Sequence, residues 1–202
     1  MFVVPAGAGV IYDNGPLQGT INGIDVSPAK TVFDSFYVVT PAVPTSLTFG
    51  AWVDIGNTAQ SVDVNIWADP TAKTPIFTET VTPTQTGCTI NSFNYEVCTE
   101  TVQLSNGPTL AAGTYWLELA NGWSSYGTVK TWLGWDVNNG NLCTSRNCPS
   151  QAVDAAGKTT TSSSFTLYDG VGLSPSPEPG SLLLLGTGVF GLVGVMRRKL
   201  MR

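Results

Sequence analysis

The chain has 202 residues, of which only 11% are charged, and carries a formal net charge of −5. So few charges beside 22 Gly argue against an all-helical fold, whose exposed faces need Lys, Glu and Arg. Histidine is absent, which excludes Ser-His-Asp and Cys-His catalysis and every His-bearing zinc site.

Charge is unevenly spread. Residues 177–202 hold four of the nine Lys and Arg and one of the 14 Asp and Glu, which leaves five against thirteen, a net of −8, in the rest. An acidic body without a basic cluster is a poor polyanion binder, so nucleic acid is not an expected partner.

In chain order, Met1-Phe2-Val3-Val4-Pro5 is apolar, and Ala6-Gly7-Ala8 has the small-x-small spacing of a signal-peptidase site. Residues 1–8 therefore read as the end of an export signal whose start lies upstream, with a first strand or an N-terminal arm as the competing reading. Residues 9–173 read as one β domain. A strand is predicted over 31–39. Leu47, Phe49, Ala51, Val53 and Ile55 then alternate with Thr48, Gly50, Trp52 and Asp54. Val62, Val64, Ile66 and Ala68 alternate with Ser61, Asp63, Asn65 and Trp67. Strands follow over 76–82 and 99–104. Tyr115, Leu117 and Leu119 alternate with Trp116 and Glu118, and 129–137 and 163–168 complete the series. Asn14-Gly15, Asn22-Gly23, Asn106-Gly107, Asn121-Gly122 and Asn139-Gly140 read as turns between them, and 159–162 as a polar loop before the last strand. Eight or more short strands at this spacing predict an all-β, antiparallel sandwich of jelly-roll-like topology.

Four cysteines allow three pairings, of which the local one, Cys88 with Cys98 and Cys143 with Cys148, is the simplest for an exported chain. Neither pair has the C-x2-C spacing of a zinc site. No P-loop, nucleophile elbow or metal-binding cluster is present, so neither enzyme activity nor a cofactor is expected. Asp136-Val137-Asn138-Asn139-Gly140-Asn141 faintly resembles a calcium loop, but its glycine comes one place early and no Glu closes it, so it reads as a hairpin turn. Asp54, Asp63, Glu118 and Asp136 could pair for glycoside hydrolysis, although acids on strand faces are usually just solvated.

The tryptophans carry the stronger signal. Trp52, Trp67, Trp116 and Trp132 fall in the polar phase of their strands, and Trp123 and Tyr126 lie in the connection between two of those strands. Outward-facing rings suit a platform that stacks on sugars. The plainer alternative is that loops or the N-terminal arm cover that second face.

The C-terminus is the most informative segment. Residues 174–180 form a Pro-rich spacer ending in Pro177-Glu178-Pro179-Gly180. Residues 181–196 are apolar and uncharged, and 197–202 hold Arg197, Arg198, Lys199 and Arg202. A helix of this length is at the short end of a membrane span, and the basic cluster after it would stop transfer and stay cytoplasmic. Pro-Glu-Pro, a short apolar helix and a terminal Arg cluster together resemble the PEP-CTERM sorting tail of bacterial exported proteins. That resemblance implies recognition by an exosortase, with Pro177, Glu178 and Pro179 as the sorting motif. It also implies display at the cell surface or in the extracellular matrix. The stretches 10–16, 49–52, 112–119, 134–136 and 164–168 more loosely resemble a group of ectodomains that precede such tails, which implies an exported β-sandwich and no particular activity. The function expected is that of a structural or adhesive envelope protein. A carbohydrate-binding module, with extracellular polysaccharide as partner, is the alternative, and a glycoside hydrolase comes third.

Overall fold

The computed structural model describes residues 9–170, apart from Ala29 and Ala155. The export-signal, spacer, membrane-helix and basic-tail readings fall on 1–8 and 171–202 and lie outside the described residues. Among those described there is no helix. The strands are, in chain order, β1 (Gly9–Asp13), β2 (Gly23–Asp25), β3 (Val32–Val38), β4 (Pro44–Val53), β5 (Thr58–Trp67), β6 (Phe77–Val81) and β7 (Thr84–Ile90). Then follow β8 (Glu96–Gln103), β9 (Gly113–Tyr126), β10 (Val129–Thr131), β11 (Gly134–Asp136), β12 (Ala152–Asp154), β13 (Thr159–Thr160) and β14 (Phe165–Asp169).

They build two antiparallel sheets of seven strands each. In sheet I, β4 is the hub. It carries β8 along one side, with β7 beyond, and β14 and then β11 along the other. β1 lies outside β14, and β2 outside β11. In sheet II the hub is β9, flanked by β3 and β5, with β6 beyond β5 and β12 and β13 beyond β3. β10 pairs with the last residues of β9.

Period-2 alternation explains the layering. Leu47, Phe49, Ala51 and Val53 of β4 are buried, as are Val62, Val64 and Ile66 of β5 and Leu117 and Leu119 of β9. These inward faces join one core with Phe36, Trp135, Phe165 and Leu167. Each such side chain contributes roughly 1.5–3 kcal/mol on leaving water. Trp135 is fully buried and its indole N–H donates to the Ser164 carbonyl at 2.9 Å, so even the polar atom at the centre is satisfied.

Four local expectations are corrected. Residues 129–137 are two strands in different sheets, because Leu133, buried in the core, carries the chain from β10 across to β11. Asn121-Gly122 is no turn but an irregularity inside β9, where the β5 register shifts. Asn121 is left-handed there, and the Gly122 N–H donates to the Val26 carbonyl at 2.8 Å. A Cβ on Gly122 would come within 2.8 Å of Val26. Ile55 does not extend β4: the strand stops at Val53, and Ile55 is exposed in a turn closed by Asn57 N–H on the Asp54 carbonyl. Within 159–162, Thr159 and Thr160 pair with β12 as β13.

The disulfides are Cys88–Cys98 and Cys143–Cys148. The first ties edge strand β7 to β8 at a register shift between Thr86 and Thr89. Its two sulfurs lie near Glu96, but a disulfide offers no thiolate to a metal. Asn14, just past the end of β1, is fully buried. Its amide donates to the Ser150 and Ser162 hydroxyls and the Ser163 carbonyl, and its oxygen accepts from Ser150 N–H, which fastens the end of β1 to the segment before β14.

Candidate functional site

The outward faces of the two sheets carry the expected platform residues, and they divide them. On sheet II, Trp116 of β9 and Trp67 of β5 are register partners, with Ser35 of β3 completing the row. The adjacent row is Phe33, Glu118 and Asn65. Leu117 and Ile66 between them are buried in the core, so both rows face outward. The Trp67 indole leans across its neighbours: its N–H donates to Glu118 Oε2 at 2.8 Å, and its ring meets Phe33 edge-on at 5.5 Å. Asn65 Nδ2 donates to the same oxygen at 3.1 Å. Glu118 is 5% exposed, and burial pushes its carboxyl above the usual range against the two hydrogen bonds that lower it; the nearby Asp63 raises it further. Asp63 accepts from the Thr80 hydroxyl and from Asn121 Nδ2. Thr78 and Thr80 on β6 are exposed, and both tryptophans are half-buried.

On sheet I the outward Trp52 is roofed. Trp52 is buried, with its indole N–H on Asp136 Oδ1 at 2.7 Å. Asp136, fully buried, also accepts from Gln18 N–H at 2.7 Å and Gly19 N–H at 2.9 Å. Its carboxylate thus holds the β1–β2 connection over the sheet. Phe93 and Tyr95, from the β7–β8 connection, pack on Trp52 with ring centroids 5.7 and 5.9 Å away. Tyr95 also meets Trp132 edge-on at 5.1 Å, and the Trp132 N–H reaches Asp54 Oδ1 at 3.3 Å. Gly134 and Gly23 give the two indoles their seats: a Cβ at Gly23 would lie 2.9 Å from the Trp52 ring, and one at Gly134 would overlap that of Trp132.

Trp123 and Tyr126 lie near the end of β9, with Lys130 Nζ 4.0 Å from the centroid of Trp123 and Tyr126 exposed. The expected six-residue platform is therefore three separate groups. Asp136 to Asn141 forms a tight turn: Asn139 and Gly140 are left-handed, and Asn141 N–H closes on the Asn138 carbonyl at 3.0 Å. Of the four candidate carboxylates, Asp54 and Asp136 serve sheet I, whereas Asp63 and Glu118 lie side by side on sheet II, not across a cleft.

Two buried acids escaped the sequence reading. Glu100 of β8 points inward in phase with Cys98 and Val102, fully buried, with neither oxygen hydrogen-bonded, and burial pushes its carboxyl up to about 8. Asp34 of β3 accepts from the Ser150 hydroxyl at 2.6 Å but leaves Oδ2 without a partner, and burial raises it to about 6. The signal for Glu100 was present in the apolar phase that it shares with Cys98, Val102 and Leu104.

Comparison with protein-family models matches residues 177–199 to the PEP-CTERM protein-sorting motif. The chain carries a PEP-CTERM sorting signal. The match covers Pro177, Glu178 and Pro179 and the basic Arg197, Arg198 and Lys199; Arg202 follows it. The PEP-CTERM motif implies export, membrane anchoring at the cell surface and processing by an exosortase. No curated protein matches the chain.

Proposed function

We propose that residues 9–170 are a non-catalytic structural or adhesive domain, displayed by the PEP-CTERM tail at the cell envelope or in the extracellular matrix. The match at 177–199 carries this reading. It is supported by the use to which the carboxylates are put, since Asp136 spends its oxygens on three internal donors and Asp54 and Asp63 also accept from side chains. In this reading the domain is a jelly-roll-like sandwich. Residues 181–196 cross the membrane once, with Arg197, Arg198, Lys199 and Arg202 on the cytoplasmic side. The exosortase acts near Pro177-Glu178-Pro179.

Mass spectrometry of the mature protein from its native host tests the proposal. Loss of the peptide after the Pro-Glu-Pro motif is expected; recovery of the intact peptide through Arg202 at full abundance would contradict it. Replacing Pro177, Glu178 and Pro179 with Ala should leave precursor inserted and unprocessed. Neutralising the four basic residues should release it, because each costs roughly 2.5–3.5 kcal/mol to place in the bilayer. A carbohydrate-binding module is the second reading, favoured by the outward pair Trp67 and Trp116. A glycoside hydrolase is least supported, because Asp63 and Glu118 lie side by side on one sheet face and do not flank a cleft.

A further inference from the structure

We infer that the outward face of sheet II binds a neutral polysaccharide chain, with Trp116 and Trp67 as stacking surfaces and Glu118 and Asn65 as polar contacts. The inference deepens the display reading by naming what the displayed domain meets. Trp116 and Trp67 stand directly opposite one another on neighbouring strands, so their Cβ atoms are about 5 Å apart on one face. Trp67 is already fixed by its bond to Glu118 and its edge contact with Phe33, so little rotamer freedom remains to be lost on binding. Both internal donors, Trp67 Nε1 and Asn65 Nδ2, converge on Glu118 Oε2, which leaves Oε1 to accept from outside. Sugar rings match this pattern: their C–H faces stack on indoles and their hydroxyls donate to a carboxylate.

Charge selects the class of polysaccharide. The carboxyls of Glu118 and Asp63 stand beside these rings and the domain as a whole is acidic, with Arg146, stacked over the neighbouring Tyr37, as a cation on the same face. A uronate or sulfated chain would be repelled, whereas a neutral one supplies hydroxyl donors without added charge. The hydroxyls of Ser35, Thr78 and Thr80 around the rings are a polar surround, unlike the apolar centre of a protein–protein interface.

The test is affinity electrophoresis of the full chain in a detergent without a sugar headgroup. The gels contain a β-glucan, a galactomannan, a xylan or, as the polyanion, alginate. At least one neutral polysaccharide should retard the chain. Trp116→Ala should weaken that retardation at least tenfold, and Trp116→Phe, which keeps a ring, should restore part of it. Phe93→Ala and Tyr126→Ala, exposed aromatics elsewhere, should bind as the parent does. The inference is overturned if no neutral polysaccharide retards the chain, if Trp116→Ala binds normally, or if alginate retards it most. Attachment to cells that survives periodate destruction of surface glycans would also overturn it, in favour of a protein partner. Any of these failures leaves the display reading standing, because that reading is decided by the mature C-terminus.

Discussion

Sheets I and II carry the same kind of outward pattern, with tryptophan in the polar phase of a strand, yet the two faces meet different fates. On sheet I, the β1–β2 connection and the β7–β8 connection fold over Trp52, and a buried Asp136 pins the first of them down. On sheet II, Trp67 and Trp116 stay half-buried and the carboxylate beside them takes its donors from side chains of its own sheet. An outward tryptophan therefore stays accessible only where no loop is anchored above it, and the anchor is visible as a buried acceptor of loop N–H groups.

Removing the anchor is the most disruptive way to break this contrast. Asp136→Ala strips three donors of their acceptor inside a buried site, which should cost about 3–5 kcal/mol in urea unfolding and raise Trp52 accessibility. A loss under 1 kcal/mol would show that the loop holds itself in place.

The buried acids give a pH dependence shared by both sheets. Glu100 rises from 4.5 to about 8 and Asp34 from 3.8 to about 6, both through burial. Since the folded values lie above the unfolded ones, protonation favours the fold. This contribution is fully present below about pH 4 and is lost as pH rises, through about 6 for Asp34 and about 8 for Glu100. Thermal unfolding should therefore show higher stability at pH 5 than at pH 9, by a few kcal/mol at about 1.36 per pKa unit. Glu100→Leu should flatten the upper part of this profile and stabilise the chain at pH 9. A pH-independent melting temperature in the parent would contradict the burial of these groups.

A smaller effect is expected at the edge of sheet I. Removing the Cys88–Cys98 bridge opens a short loop and should cost roughly 2–3 kcal/mol, seen as a lower urea midpoint after selective reduction or in Cys88→Ser. The smallest belongs to Tyr126, which is 72% exposed: Tyr126→Ala should shift stability by no more than about 0.5 kcal/mol.

Much of this architecture was legible in the alternation of β4, β5 and β9, because one buried face per strand imposes period 2 on the sequence. β2, β12 and β13 were not, since strands of three residues or fewer carry no periodicity and pair only because longer neighbours template them. The Asn121-Gly122 turn signal was genuine as a preference for left-handed backbone, but a strand irregularity satisfies it as well as a hairpin does. Which tryptophans end up roofed was not legible at all. It depends on Asp136 meeting Gln18 and Gly19, more than a hundred residues away in the chain.

The contrast between a roofed Trp52 on sheet I and the more accessible Trp67 and Trp116 on sheet II is tested most directly by hydroxyl-radical footprinting of the full chain, with oxidation at each tryptophan read by mass spectrometry. Trp116 and Trp67 should be oxidised several-fold faster than Trp52, with Trp135 protected most. Trp52 reacting as fast as Trp116 would contradict it.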